Sequence, residues 1–154
     1  MLIEPAEPTD RAFIARTWAE ALRKSPLYSW APSSVYFQRI ARRIDRLLDK
    51  STVLVVRPSI DPGILMLDDG DEKLVSAWIC AEPGSPGPLV HFLFVKQGYR
   101  RMGLARTLLR KLGWAPGRPI VCTAWTPVCE SVGRYRLLFM PSFLEDKHST
   151  ATAA

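Results

Sequence analysis

The pattern of apolar and polar positions in the first fifty residues is helical in two places. Thr9-Asp10 provides an N-cap for a first helix that should end near Ser25-Pro26. Pro32-Ser33-Ser34 opens a second helix, and residues 1–5 precede both as a short predicted strand. The residues expected to face the core are Phe13, Ile14, Trp18, Ala21 and Leu22 in the first helix, and Phe37, Ile40, Ile44, Leu47 and Leu48 in the second.

The middle of the chain changes to strand patterns. Three apolar runs, 52–56, 64–67 and 74–80, are bounded by turn residues and predict antiparallel strands. The segment 82–88 carries prolines and glycines that exclude the interior of a helix or strand, so it is a predicted loop. Residues 89–95 then form a continuous apolar run, which predicts a further strand.

Helical spacing returns after Gly103 and should end at Gly113. Its expected buried face is Leu104, Thr107, Leu108 and Leu112. Residues 120–124 predict a strand, Thr126-Pro127 opens a short helix that runs to about residue 136, and 137–143 is extended with a break at Pro141. The element order is therefore strand, two helices, strands, helix, strand, helix, strand.

The composition is that of one globular domain: 154 residues, of which 47% are apolar and 23% are charged. We assign 1–148 to a single domain and 149–154 to a flexible tail. No apolar run approaches the ~20 residues that span a bilayer, and the first residues do not resemble a signal peptide. We expect a cytoplasmic protein without a membrane partner.

Cysteine and histidine are sparse. Cys80, Cys122 and Cys129 make an odd number without a close pair, and His91 and His148 are the two histidines. We expect neither a disulfide scaffold nor a bound metal.

The net charge of +6 is concentrated in the second half of the chain. No acidic residue lies between Glu82 and Glu130. The cations of that block are Lys96, Arg100, Arg101, Arg106, Arg110, Lys111 and Arg118. Such a block attracts an anion, most plausibly phosphate on a nucleotide cofactor or on nucleic acid.

One segment of this block, Val95 to Arg106, resembles motif A of the GNAT family of N-acetyltransferases, as in its small phage or bacterial members. The motif is Gln/Arg-x-x-Gly-x-Gly/Ala between a strand and a helix, and Arg100, Gly103 and Ala105 occupy its fixed positions. The first turn of a helix has N–H groups without intrahelical partners, and these favour a phosphate group. The resemblance implies acetyl-CoA as cofactor, bound by Leu93, Phe94, Val95, Arg100, Arg101, Met102, Gly103, Leu104, Ala105 and Arg106.

The resemblance also implies an α/β (α+β) fold with a mixed, mostly antiparallel central sheet that is flanked by helices. In that fold the strands before and after motif A splay apart, and the pantetheine arm lies between them. Those strands are 89–95 and 120–124 in this sequence.

His91 matches a position at which some GNAT members carry a histidine, and a near-neutral imidazole suits removal of a proton from an amine. Core packing is an equal alternative for His91, and Glu82 is the reserve candidate for the base. Tyr135, in a segment similar to that of the family's acid, is the candidate that protonates the departing thiolate, with a structural role as its alternative. The expected acceptor-binding residues are aromatic side chains in loops and the last strands: Tyr28, Trp30, Trp125 and Phe143.

The resemblance implies acetyl transfer by direct attack of a primary amine, carried by a small molecule or a protein. Two alternatives stay open. The stripe of Arg39, Arg42, Arg43 and Arg46 on the second helix suits nucleic acid, as in GNAT-like proteins that modify DNA bases, although a solvated helix face is the ordinary explanation for it. A catalytically silent acyl-CoA-binding module is the other. The sequence leaves a monomer and a homodimer equally open.

Overall fold

The computed structural model describes residues 1–59, 75–131 and 135–141. Within them, six strands form one sheet in sequence order, β1-β2-β3-β4-β5-β6. The strands are β1 (Leu2–Pro5), β2 (Thr52–Arg57), β3 (Ala77–Glu82), β4 (Leu89–Val95), β5 (Ile120–Cys122) and β6 (Leu137–Phe139). The predicted strand at 64–67 lies outside the described residues.

The sheet changes direction once. The pairs β1–β2, β2–β3 and β3–β4 are antiparallel, whereas β4–β5 and β5–β6 are parallel. Parallel neighbours need a crossover connection, which the helical segment between β4 and β5 supplies. The sheet is therefore mixed and mostly antiparallel, as the sequence predicted.

The helices are α1 (Arg11–Arg23), α2 (Ser33–Lys50), α3 (Leu104–Lys111) and α4 (Pro127–Ser131). Their starts agree with the predicted positions, but several details of the predicted elements were wrong. Residues 135 and 136, predicted to be in the last helix, are not helical. Tyr36 rather than Phe37 is buried in α2, and Phe37 is 44% exposed. Thr107 is exposed, and Leu109 takes its place in the buried face of α3. The strand predicted to reach residue 124 ends at Cys122.

Asp10 is the N-cap residue of α1, as predicted, but its side chain makes no capping hydrogen bond. Its buried carboxylate instead accepts hydrogen bonds from the Glu7 N–H at 2.8 Å and from the Arg57 guanidinium at 2.7 Å. Arg57 on β2 also donates to Glu4 on β1. This ion cluster joins β1, β2 and the turn before α1, because a buried carboxylate needs charged or N–H partners.

Two apolar clusters lie on opposite faces of the sheet. The first packs α1 and α2 against β2, β3 and β4, with Trp18, Trp78 and Phe92 in mutual contact. The second packs α3 against the other face, with Leu104, Leu108 and Ile79 buried. Successive strand residues point to opposite faces, so β2, β3 and β4 contribute to both clusters.

Candidate active site

The parallel strands β4 and β5 separate soon after they meet. They pair only at Leu89↔Val121 and Val90↔Cys122. The last backbone hydrogen bond between them in the described chain runs from the Thr123 N–H to the Val90 carbonyl at 3.0 Å. β4 then continues to Val95, whereas β5 has ended. We call the region between the two strands beyond this bond, from Thr123 to Val95, the fork.

The backbone of β4 presents polar groups to the fork. The Lys96 N–H bonds the Ser76 carbonyl on the β3 side at 2.9 Å. Because hydrogen-bonding directions alternate along an antiparallel strand, Phe94 bonds toward β3, while Leu93 and Val95 point to the fork. The Arg100 side chain confirms this direction, since its Nε donates to the Val95 carbonyl at 3.2 Å.

The open end of the fork leads to the N-terminus of α3. Gly103 is the N-cap residue and has φ 80°, and Arg101 is also in the left-handed region with φ 65°. Helix geometry leaves the N–H groups of Leu104, Ala105 and Arg106 without intrahelical partners. A Cβ on Gly103 would meet no described atom within 4 Å, so the space at the N-cap itself is open.

The side chains around this turn are basic and solvent-accessible. Arg100, Arg101 and Arg106 are exposed. Met102 is exposed as well, whereas Leu104 is buried and anchors the turn in the second cluster. Positive side chains next to first-turn amides favour a phosphate group at this position.

His91 lies at the closed end of the fork, on a β-bulge. β3 pairs Cys80 with Phe92 and Ala81 with Val90, so His91 is the extra residue of β4. A bulge changes the direction of the side chain that it carries and is common beside active sites.

The imidazole of His91 has a polar neighbour at each nitrogen. Its Nδ1 is 2.9 Å from Thr123 Oγ1, and its Nε2 is 3.5 Å from Glu82 Oε2. His91 is 3% exposed and Thr123 is 5% exposed. The Glu82 side chain, at the end of β3, is 23% exposed. The structure therefore brings both base candidates together and makes Glu82 the more accessible one.

Thr123 was not predicted from the sequence. It directly follows β5 and has no motif around it. A polar residue at the end of a buried strand was the available signal, but its partner became visible only with the pairing of β4 and β5.

Tyr135 packs in the second cluster, near the start of β5. Its ring packs against Trp114, with centroids 5.7 Å apart, in the second cluster. The Arg136 carbonyl next to it accepts from the Ile120 N–H at 2.7 Å, which places Tyr135 near the start of β5. Thr123 and His91 meet at the other end of β5, and the acid role of Tyr135 stays a prediction.

The four aromatic candidates have different surroundings. Trp125 follows Thr123 by two residues, is half-buried and contacts Phe139 with centroids 5.9 Å apart. Trp30 is 79% exposed in the loop between α1 and α2. The Tyr28 hydroxyl accepts from Arg43 at 3.0 Å. Phe143 lies outside the described residues.

The basic stripe of α2 has three exposed arginines and not the four that the sequence predicted. Arg43 is half-buried, and its guanidinium donates to the Tyr28 hydroxyl. Arg39, Arg42 and Arg46 are exposed. Nothing in the described chain sets this stripe apart from a solvated helix face.

The thiols next to the site are poor nucleophiles. Burial raises the pKa of Cys80 to about 12 and that of Cys122 to about 11, so both stay protonated near neutral pH. A covalent cysteine intermediate is therefore disfavoured at these positions.

The described residues hold neither a candidate metal site nor a candidate membrane span. No group of three or more His, Cys, Asp or Glu side chains there is arranged to hold a metal ion. None of the helices in residues 1–59, 75–131 and 135–141 is long and apolar enough to cross a bilayer.

Comparisons with known proteins gave matches among solved structures alone. Neither a protein-family model nor a curated protein matched the sequence. A ribosomal-protein-alanine N-acetyltransferase from Brucella melitensis biovar Abortus 2308 is 12% identical over 100% of this chain and 91% of its own, with a TM-score of 0.44. A possible acetyltransferase from Clostridium difficile 630 is 15% identical over 98% of this chain and 87% of its own, with a TM-score of 0.48. Both scores are below 0.5, so the strand order and the fork, and not these matches, define the fold.

Proposed function

We propose that the chain is an N-acetyltransferase that moves an acetyl group from acetyl-CoA to a primary amine by direct attack. The observation that carries this proposal is the fork, which joins the edge of β4 that β5 leaves after Val90 to a helix N-terminus lined by arginines. The motif at Arg100, Gly103 and Ala105 occupies that junction.

From the open end of the fork to its closed end, its residues would bind the pyrophosphate, the pantetheine arm and the thioester of acetyl-CoA in turn. The amides of Leu104, Ala105 and Arg106 would hold its pyrophosphate, with Arg100 and Arg101 as charged neighbours. The backbones of Leu93 and Val95 would bind amides of its pantetheine arm, as an added strand does. When bound, acetyl-CoA supplies a thioester carbonyl that is open to an amine nucleophile.

His91 is the base in this proposal, and Glu82 is the group that favours its charge. An amine is a nucleophile only after it loses its extra proton, and an imidazole accepts such a proton at neutral pH. The Glu82 carboxylate at 3.5 Å favours the resulting imidazolium. The location of His91 at the closed end of the fork supports this role.

Titration calorimetry tests the binding step. We expect acetyl-CoA and CoA to bind with micromolar Kd, and Gly103→Glu to weaken binding at least about 100-fold, because it places a carboxylate at the phosphate position. Gly117→Glu is the matched control, since Gly117 also has a positive φ, of 83°, with no atom within 4 Å of its Cβ. Gly103→Ala introduces the backbone strain of a side chain at positive φ without the negative charge, so it shows how much of the loss in affinity comes from strain. Equal affinities in folded wild-type and Gly103→Glu proteins would overturn the assignment of the phosphate site.

Release of the CoA thiol tests the transfer step. Spermidine, tyramine and L-lysine present primary amines of different size and charge, and we expect at least one of them to raise thiol release above hydrolysis. Tight acetyl-CoA binding without amine-dependent release would instead identify a silent acyl-CoA-binding module.

A further inference from the structure

We propose that the Thr123 hydroxyl relays the proton from the substrate amine to His91, an inference that rests on the proposed acetyl transfer. The imidazole is 3% exposed, and the two described polar groups nearest its ring nitrogens are Thr123 Oγ1 and Glu82 Oε2. Of these two groups, Thr123 Oγ1 is the nearer to the ring, at 2.9 Å from Nδ1.

The charge of Glu82 decides which nitrogen accepts the proton. An ionised Glu82 carboxylate accepts and does not donate hydrogen bonds, so its charge, 3.5 Å from Nε2, favours the tautomer with hydrogen on that nitrogen. The lone pair is then on Nδ1, where the Thr123 hydroxyl donates to it across 2.9 Å. The accepting nitrogen of His91 thus faces Thr123 and not Glu82.

The backbone places Thr123 where a proton can enter. Its N–H makes the last bond between the chain after β5 and β4, at 3.0 Å from the Val90 carbonyl. Thr123 is therefore at the closed end of the fork, where the proposed function puts the thioester. Its hydroxyl oxygen keeps two lone pairs while its hydrogen points to Nδ1.

The proton transfer is balanced as follows. An N–H bond of the substrate ammonium breaks while an O–H bond forms at Thr123 Oγ1. The original O–H bond of Thr123 breaks while an N–H bond forms at His91 Nδ1. The positive charge moves from the amine to the imidazole, which Glu82 faces, and the neutral amine keeps the lone pair needed for attack.

Substitutions of Thr123 test the relay by turnover. Thr123→Val keeps the shape and removes the hydroxyl, and we expect it to lower kcat about 100-fold without changing the Kd of acetyl-CoA. Thr123→Ser keeps the hydroxyl and should stay within about threefold of the wild type. Equal kcat values in wild-type and Thr123→Val proteins, or equal losses in the Val and Ser variants, would overturn the relay.

Nitrogen NMR gives a readout that does not depend on activity. In a His148→Gln background, His91 is the one histidine of the chain. The ¹⁵N shifts of the neutral ring should show hydrogen on Nε2 in the Thr123 protein and a mixture of tautomers in Thr123→Val. Hydrogen on Nδ1 in the Thr123 protein would contradict the relay, because Thr123 would then accept rather than donate.

The two proposals fail in different ways. If the wild type binds acetyl-CoA and acetylates spermidine, tyramine or L-lysine, and Thr123→Val equals it, the relay alone is wrong. If the wild type binds no acetyl-CoA, the proposed function is wrong, and the relay fails with it.

Discussion

His91 owes its position to a single extra residue in β4. Without the bulge, the alternation of strand residues would not place Val90 and Phe92 on opposite faces of the sheet. The bulge brings the imidazole between Thr123 and Glu82, which come from different strands. The chemistry of this site therefore depends on pairing between distant segments of the chain.

We expect His91→Gln to lower kcat about 100-fold and to leave the Kd of acetyl-CoA unchanged, because the imidazole is apart from the phosphate turn. Tyr135→Phe is the control, since Tyr135 packs on Trp114 in the other cluster and should retain kcat within about twofold. Steady-state kinetics and calorimetry on both variants measure these effects. A large loss in Tyr135→Phe together with an active His91→Gln would restore the acid role expected from the sequence and remove the base role of His91.

At the residue scale, the sequence predicts which side chains are candidates for the site better than it predicts which side chains they contact. The family resemblance and the residue types singled out His91 and Glu82, and the structure brings the two side chains together. Thr123 was missed, since no local pattern shows that β5 ends beside the bulge of β4. Tyr135 was placed by a similar local segment, and its packing on Trp114 is a tertiary feature that this segment does not contain.

At the scale of elements, local signals fixed α3 and its preceding turn well. A glycine, a strand end and an amphipathic run are close in sequence, so the helix start at Leu104 was predictable. The buried face of α2 was predicted less well, because Tyr36 and Phe37 are both apolar enough to enter the core. Tyr36 is buried because its hydroxyl finds a partner on α1, the Ala19 carbonyl at 2.6 Å.

The contact between α1 and α2 predicts a pH dependence of stability. Burial raises the pKa of Tyr36 from 10.0 to about 12. The folded protein therefore keeps the phenol proton at a pH at which the unfolded chain loses it. The stability that this difference contributes is complete below pH 10 and is lost as the pH rises toward 12.

Tyr36→Phe should lower the free energy of unfolding by about 1 kcal/mol at pH 7, because the hydrogen bond to Ala19 is lost. The deficit relative to the wild type should shrink between pH 10 and 12, since phenylalanine has no proton to lose. Urea unfolding across this pH range measures both values, with Tyr99→Phe as a control outside the α1–α2 contact. A deficit that stays constant up to pH 11.5 would contradict the assigned cause.

At the scale of the whole molecule, the order of strands and the charge distribution converge on one place. The sequence predicted a mixed sheet and a basic second half, and the sheet is confirmed. The fork required the structure, because it depends on how far β5 pairs with β4 before it ends. The acid-free block from residue 83 to residue 129 supplies the arginines at the open end of that fork. The basic block that would attract an anion over a distance and the turn that would bind it thus lie in the same place, at the N-terminus of α3.

A crystal structure of the chain grown with acetyl-CoA tests the central claim most directly. We predict the pyrophosphate on the first-turn amides of α3, the pantetheine arm between β4 and β5 beside Leu93 and Val95, and the thioester at the closed end of the fork near His91 and Thr123. Acetyl-CoA bound at another surface, or a fork occupied by side chains of this chain at saturating acetyl-CoA, would contradict the account.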